Sequence, residues 1–358
     1  MNKGVIILDI ATPFYESLIE LVNKKSHKEI KLYPIVVKNF DLDRKTWGKL
    51  KSTKIFIHSK NFGIVKKIEE LRPNVVFITQ YNRFDTLLVI GLCLYRKIPF
   101  YLGPHEIFNN TNSFSLNLLA KIMYYKLVSF WSEGTITMGK FAVKFYNLLT
   151  QKKVYDLPYS ISLDRFNLSK KQVNNEIVFL FCGRLIEFRN PLLVIKIFSK
   201  ALKNTDIQSS LKLCISGEGP LENKCKQLIA KLGITSKVQW LDKIENWEEI
   251  PEIYSKIDIL LALQDYSGWG MIIPEAMASE KAIISTNKMV ASDSLIINGY
   301  NGYLVNVENE EAILSAMMNY VNNPCEIELH GKRSKEIIKT IDINNSVEIL
   351  WNIIKKYN

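Results

Sequence analysis

Short apolar runs separated by stretches of helical length recur from one end of this chain to the other, and no other feature limits the fold as much. In the first half the runs are Gly4–Leu8, Lys54–His58, Asn74–Thr79, Phe100–Leu102 and Gly134–Met138. In the second they are Ile177–Cys182, Leu211–Ser216, Val238–Leu241, Ile257–Leu263 and Ala282–Ser285. Apolar strands alternating with helices predict an α/β protein with two parallel, doubly wound sheets, whose ligand crevices lie at the carboxyl ends of the strands. A chain of 358 residues exceeds the size at which one core keeps growing. The division is expected in Leu157–Asn175, where Pro158, Ser160, Ser162, Asp164, Ser169 and Asn174 precede a fresh strand. Domains of 1–165 and 166–340 follow.

Charge separates the halves. Residues 1–171 hold 27 Lys and Arg against 13 Asp and Glu, or +14, and the remainder holds 20 against 23, or −3, within a net charge of +11. A one-sided positive field suits an anionic membrane surface, and solvated lysines account for it equally well. Nucleic acid is not expected, because no aromatic-basic repeat accompanies the charge. No apolar stretch approaches the roughly 18 residues that span a bilayer. The apolar run that follows Lys3 stops at Asp9, too soon for a secretory leader, and reads as a strand.

Five cysteines, Cys93, Cys182, Cys214, Cys225 and Cys325, show neither zinc nor disulfide spacing. Reduced thiols imply a cytoplasmic protein. Asp41-Leu42-Asp43 has the form of a metal-binding Asp-x-Asp, but it stands in a polar stretch without a preceding strand. No metal site is expected.

Asp265-Tyr266-Ser267-Gly268-Trp269-Gly270-Met271-Ile272-Ile273-Pro274-Glu275-Ala276-Met277-Ala278 follows an apolar strand and reads as strand, glycine loop and helix. Such a junction aims backbone N–H groups and a helix dipole at one spot, which suits a phosphate or pyrophosphate. Gly268 and Gly270 allow close backbone approach there. Glu275, in the first helical turn, can accept hydrogen bonds from a ribose diol beside the phosphates. The run Gly183-Arg184-Leu185-Ile186-Glu187-Phe188-Arg189-Asn190 places two guanidinium groups five residues apart at another strand end. Two fixed cations can neutralise a diphosphate leaving group without metal.

These segments resemble the retaining glycosyltransferases of family 4, enzymes of the GT-B fold. That family's pattern reads roughly Glu-Gly-Phe-Gly, four residues, then Glu-Ala-Met-Ala. Ser267 stands where the first glutamate is expected, Trp269 replaces the phenylalanine, and Glu275 matches the second glutamate. The family's Gly-Arg-Leu, three residues, then Lys is matched by Gly183 and Arg184, with Arg189 in place of the lysine. The resemblance implies two Rossmann-like domains facing a central cleft, with a closing helix over 341–358 that returns to the first domain. It implies donor contacts from Ser267, Gly268, Trp269, Gly270, Met271 and Glu275, and from Gly183, Gly217 and Glu218 in the turns after two other strands. It implies catalytic roles for Arg184, Arg189 and His105, the last positioned near the donor sugar. The loop Asp9–Pro13 takes the place of the family's first glycine-rich turn and has no glycine. The Val238–Leu241 region is where the family's backbone reads the nucleobase, which leaves the base open.

Ser113–Trp131 carries Phe114, Leu116, Leu118, Leu119, Ile122, Met123, Leu127, Val128 and Phe130 with Lys121 and Lys126. A helix apolar almost all round is expected to be buried, and the alternative is docking on a membrane interface. The expected activity is transfer of a sugar from a nucleotide-diphosphate donor to a glycan or lipid-linked acceptor, with retention and without cofactor, in polysaccharide or glycoconjugate assembly. Cytoplasmic placement, peripheral on the membrane, goes with it. The alternatives are a non-catalytic GT-B partner of another transferase and an enzyme that isomerises sugar nucleotides.

Overall fold

The computed structural model describes residues 1–9, 12–25, 29–37, 57–58, 62–80, 83–103, 116–166, 176–205, 210–242 and 247–357. They form two compact units, residues 1–160 with 342–358, and residues 161–341. His105, Phe114 and Asp41–Asp43 lie outside the described residues, as do Ile10 and Ala11 of the glycine-free loop.

The first unit contains strands β1 (Asn2–Leu8), β2 (Ile30–Val36), β3 (Ile57–His58), β4 (Val75–Ile78), β5 (Phe100–Leu102), β6 (Gly134–Thr137) and β7 (Lys153–Asp156). They lie in the order β3-β2-β1-β4-β5-β6-β7, with every pairing parallel. Side chains alternate between faces along a strand, and both faces of β1 are covered. Val5 and Ile7 meet Ile64, Val89, Cys93, Tyr125 and Tyr146 from the helices Phe62–Leu71, Phe84–Arg96, Leu116–Trp131 and Lys140–Leu149. Ile6 and Leu8 meet Leu18 and Val22 of Pro13–Lys25 and Val347, Leu350 and Ile354 of the closing helix Ile343–Lys355. Replacing a fully buried residue such as Leu350 by alanine costs about 2–5 kcal/mol, so the closing helix holds this sheet as firmly as the first helix does.

The second unit contains β8 (Ile177–Cys182), β9 (Leu211–Ser216), β10 (Val238–Trp240), β11 (Ile259–Ala262), β12 (Ala282–Ser285) and β13 (Tyr303–Leu304). Their order, β10-β9-β8-β11-β12-β13, is again wholly parallel. In both units the chain reverses its direction of travel across the sheet between the first and fourth strands, the switch point at which open α/β sheets bind ligands. The fold class expected from sequence, a GT-B pair of Rossmann-like doubly wound sheets, is what the chain adopts.

Three strands go beyond those expected. Pro34 lies within β2, opposite Ile6 of β1, and brings no N–H to the ladder, which hides the strand from a propensity reading; among the described residues Ile35 and Val36 pair with β3. β7 is a half-polar edge, and β13 has two residues. The helix Leu116–Trp131 corrects another expectation. Tyr125 and Val128 are buried, but Leu119, Met123, Leu127 and Phe130 are exposed, so the helix is apolar on a solvent face as well as a core face.

Candidate functional site in the second unit

The loops after β8 and β9 are knitted together at the carboxyl edge of the sheet. Gly183 N–H donates to Ser216 O at 2.8 Å, Leu185 N–H to Glu218 O at 2.8 Å, and Leu221 N–H to Leu185 O at 3.0 Å. Gly217 has φ +145°, and a Cβ there would collide with the Gly183 carbonyl. Gly183 has φ +139°, and a Cβ on it would collide with the Arg189 guanidinium. Gly217 is therefore dictated by close approach to backbone as well as by conformation, whereas Gly183 is required chiefly by its conformation.

Arg189 thus lies flat against the Gly183 backbone. The residue as a whole is half-buried, but its Nε is fully buried and has no hydrogen-bond partner among the described residues. Burial pulls its guanidinium below the usual range, the Cys182 thiol opposes this, and the cation of Arg184 adds to it. The two guanidinium groups are close enough to repel, with Arg184 exposed beside the buried one. A pair of cations held against their mutual repulsion is a ready receptor for a multiply charged anion.

Across the switch point, Asn190 adopts the left-handed conformation at φ 54° and its Nδ2 donates to Leu263 O and to Asp265 Oδ1, both at 2.9 Å. Asp265 N–H returns a bond to Phe188 O at 2.9 Å. The loop that carries Arg189 is in this way tied to the loop that leads into Ser267. Val290 and Ala291 donate to the carbonyls of Gly268 and Trp269 at 3.2 and 2.9 Å, which anchors the glycine loop on the helix Val290–Leu295. Gly270 has φ +83°, and a Cβ there would stand 2.5 Å from Met289 Cε. Trp269 is buried, so its side chain is a core anchor and its contribution to a ligand is confined to its backbone.

Glu275 lies in the first turn of Ile272–Ala278, as the sequence suggests, but is 3% exposed. Its Oε2 accepts from Tyr254 Oη at 3.1 Å, and the same hydroxyl lies 3.2 Å from Ile272 O. Burial, then the Glu275 carboxylate, holds the Tyr254 phenol well above its ordinary range. Burial lowers the Arg165 guanidinium, while the carboxylates of Glu248 and Glu275 raise it. Cys182 is pushed up to about 12, chiefly by burial and then by Glu275, with Arg189 opposing. One electrostatic cluster therefore contains Glu275, Tyr254, Cys182, Arg165 and Arg189.

Gly183, Arg184, Arg189, Gly217 and Glu218 thus come together on the loops after β8 and β9. Ser267–Met271 and Glu275 come together after β11. Asn190 and Asp265 stand inside the quoted runs without a role assigned to them, and Tyr254 and Arg165 stand outside every motif. Asn190, between an arginine and a proline at a helix start, is the one among them whose local sequence hints at a special conformation. Among the described residues no three His, Cys, Asp or Glu side chains stand together as metal ligands.

In the first unit the corresponding switch point holds a charge cluster. Arg83 pairs with Asp9 at the end of β1 and with Asp85 at 3.1 Å, and the Asp85 hydrogen bond raises its guanidinium.

Residues 164–341 match the family described as Glycosyl transferases group 1. The chain is 22% identical over 290 residues to the N-acetylgalactosamine-N,N'-diacetylbacillosaminyl-diphospho-undecaprenol 4-alpha-N-acetylgalactosaminyltransferase of Campylobacter jejuni, covering 79% of this chain and 74% of that protein. It is 28% identical over 148 residues to a GalNAc-alpha-(1->4)-GalNAc-alpha-(1->3)-diNAcBac-PP-undecaprenol alpha-1,4-N-acetyl-D-galactosaminyltransferase of the same organism, covering 41% of this chain but only 39% of the relative. In structure it resembles Anabaena HepE in complex with UDP, with a TM-score of 0.76 at 12% identity, covering 99% of this chain and 100% of that one.

Proposed function

We propose that this chain, whose residues 164–341 match the Glycosyl transferases group 1 family, transfers a sugar from a nucleotide-diphosphate donor to a glycan or lipid-linked acceptor with retention of anomeric configuration, as in family 4. The observation that carries the reading is the half-buried Arg189, seated on Gly183 beside Arg184 with its Nε fully buried and unpartnered among the described residues. That arrangement is costly for a purely structural arginine, because an incompletely bonded buried cation destabilises the fold. A diphosphate would repay the cost, and UDP in the HepE structure and the diphospho-undecaprenol substrates of the Campylobacter relatives are of matching chemistry.

In this reading Arg184 and Arg189 bind the diphosphate and take up the charge that develops as the glycosyl bond breaks, which needs neither metal nor cofactor. The backbone of Ser267–Met271 binds the distal phosphate and sugar. Glu275, fixed by Tyr254, accepts from the ribose diol with its remaining lone pairs. Gly183, Gly217 and Glu218 line the nucleotide side, and His105 positions the sugar. No nucleophile is assigned, so a front-face displacement assisted by the leaving phosphate fits better than a covalent intermediate. Polysaccharide or glycoconjugate assembly on the cytoplasmic side, with an anionic membrane as the partner of the basic first unit, completes the reading.

Thermal unfolding against uridine, guanosine, adenosine and cytidine diphosphates and their sugar conjugates tests it, since a ligand at a hundredfold excess over Kd stabilises by about 2.7 kcal/mol. A base-selective shift that disappears in Arg189→Met supports the site. Shifts with none of them, from folded protein, would end the reading. Ser267, standing where the family resemblance has a glutamate, favours one second reading, a nucleotide-binding but non-catalytic partner. It predicts the same shift with no consumption of any sugar nucleotide.

A further inference from the structure

Three neighbouring helices of the first unit turn large apolar side chains to solvent. Leu116–Trp131 sends Tyr125 and Val128 into the core and carries Leu119, Met123, Leu127 and Phe130 outward. Their spacing of four, four and three residues makes one stripe. Met123 is 69% and Phe130 74% exposed. On Lys140–Leu149, Tyr146 packs inward against Tyr125 with ring centroids 4.6 Å apart, while Phe141 and Leu148 face out, Leu148 at 77% exposure. Phe84–Arg96 buries Val89 and Cys93 and exposes Leu87, Leu94 and Tyr95. All three helices cover the same face of the sheet. Large apolar side chains left exposed on three helices of one face mark an interaction site. In the second unit Phe188 and Leu329 are exposed on separate elements, and Ile297 and Tyr300 share one turn.

The charge on the same helices is one-sided. Leu116–Trp131 and Lys140–Leu149 carry Lys121, Lys126, Lys140 and Lys144 and no carboxylate, with Glu133 between them; on Phe84–Arg96, Asp85 is buried and Arg96 pairs with Glu69. Glu133 accepts from Tyr357 Oη at 3.1 Å.

We propose that this helical face docks on an anionic lipid bilayer, with the outward stripe in the headgroup boundary and the lysines on lipid phosphates. Apolar side chains interleaved with lysines that reach past them match the two layers of such a surface. Exposed Trp131 and Tyr95 are of the type that settles at the interface. Two copies of the face brought together would set the four lysines of these two helices against four, which argues against self-pairing. Among the described residues no helix is long and apolar enough to cross a membrane, so these helices would lie in its plane.

The test is co-sedimentation of the full chain with vesicles of phosphatidylcholine alone, or with about a third phosphatidylglycerol, at low and high salt. Binding is expected to the anionic vesicles and to weaken with salt. Met123→Gln/Leu127→Gln/Phe130→Gln, and separately Lys121→Glu/Lys126→Glu, should each lower partitioning about tenfold or more. All changes are at exposed positions, and a circular-dichroism melt confirms folding. Equal binding to neutral and anionic vesicles, or unchanged partitioning in both folded variants, overturns the proposal. So does light scattering that finds self-association lost in the apolar variant without any vesicle binding, which would assign the face to a second copy. Vesicle binding is read without nucleotide, so its failure is distinct from failure of the transferase reading.

Discussion

Tyr254 Oη lies 3.1 Å from Glu275 Oε2, inside the second unit, and joins the helix Ile250–Ser255 to the helix that follows the glycine loop. A carboxyl group at 3% exposure depends on hydrogen-bond donors to offset its burial and fix its direction, and Tyr254 is one of them. Tyr254→Phe should destabilise by about 1–3 kcal/mol, the cost of leaving a buried acceptor short of a donor, and should also weaken nucleotide binding. Urea unfolding with and without uridine diphosphate reads both effects. Wild-type stability and binding in this variant would show that other groups hold Glu275 in place.

Arg189 separates stability from function. Removing a buried cation in favour of an apolar chain of similar length is often neutral or stabilising, so Arg189→Met is expected to melt at or above the wild-type temperature. The same variant should lose turnover by roughly 10²–10³, the usual cost of one preorganised donor at developing charge. Arg184→Ala, at an exposed position, should lower turnover similarly while leaving the melt unchanged. If Arg189→Met destabilises strongly and spares catalysis, the arginine is structural.

The turn glycines grade the crowding at the site. Gly217→Ala combines φ +145° with a collision against the Gly183 carbonyl, whereas Gly233→Ala at φ +70° meets nothing within 4 Å. Gly233→Ala should cost about 1–2 kcal/mol from conformation alone. Gly217→Ala should cost more, because the loop bearing Arg184 has to move. Equal unfolding midpoints for the two variants would show that the loops after β8 and β9 yield freely.

Much of the site's position was legible because strands buried on both faces read as continuous apolar runs, and β8, β9 and β12 coincide with such runs end to end. Arg184, Arg189 and Glu275 were found because each follows a strand end at a fixed offset. Tyr254 and Arg165 could not be, since their relation to Glu275 is made by folding across 21 and 110 residues, and neither stands in a motif. Composition also hid the outward stripe of Leu116–Trp131. A helix apolar on two faces looks alike whether its second face meets protein or solvent.

Cysteine reactivity should follow burial. Burial raises the Cys93 thiol to about 12 and Cys225 to about 11, and Cys182 reaches about 12 with Glu275 adding to burial. Each stays protonated through pH 9, and only the thiolate attacks an alkylating reagent. Cys214 is buried and Cys325 exposed. Native protein treated with iodoacetamide at pH 8 should take up one label, at Cys325, and denatured protein five. Mass spectrometry that finds Cys182 labelled in native protein would show the edge of β8 to be open.

The helix Cys325–Ile338 carries the clearest pH dependence. His330 is 2% exposed, and its Nδ1 lies 2.9 Å from Tyr320 Oη. Burial holds its pKa below the ordinary histidine range, only partly offset by the Glu326 carboxylate. Between the folded and unfolded pKa values the unfolded chain binds the extra proton, so stability rises with pH there. His330's contribution is therefore fully present above about pH 6.5 and is lost as the pH falls through the folded value. His330→Gln removes that proton uptake while keeping a polar side chain for Tyr320. Urea unfolding free energies between pH 7.5 and pH 5 should fall less steeply in the variant than in wild type, and parallel slopes would mean that His330 titrates in the folded protein as freely as in the unfolded one.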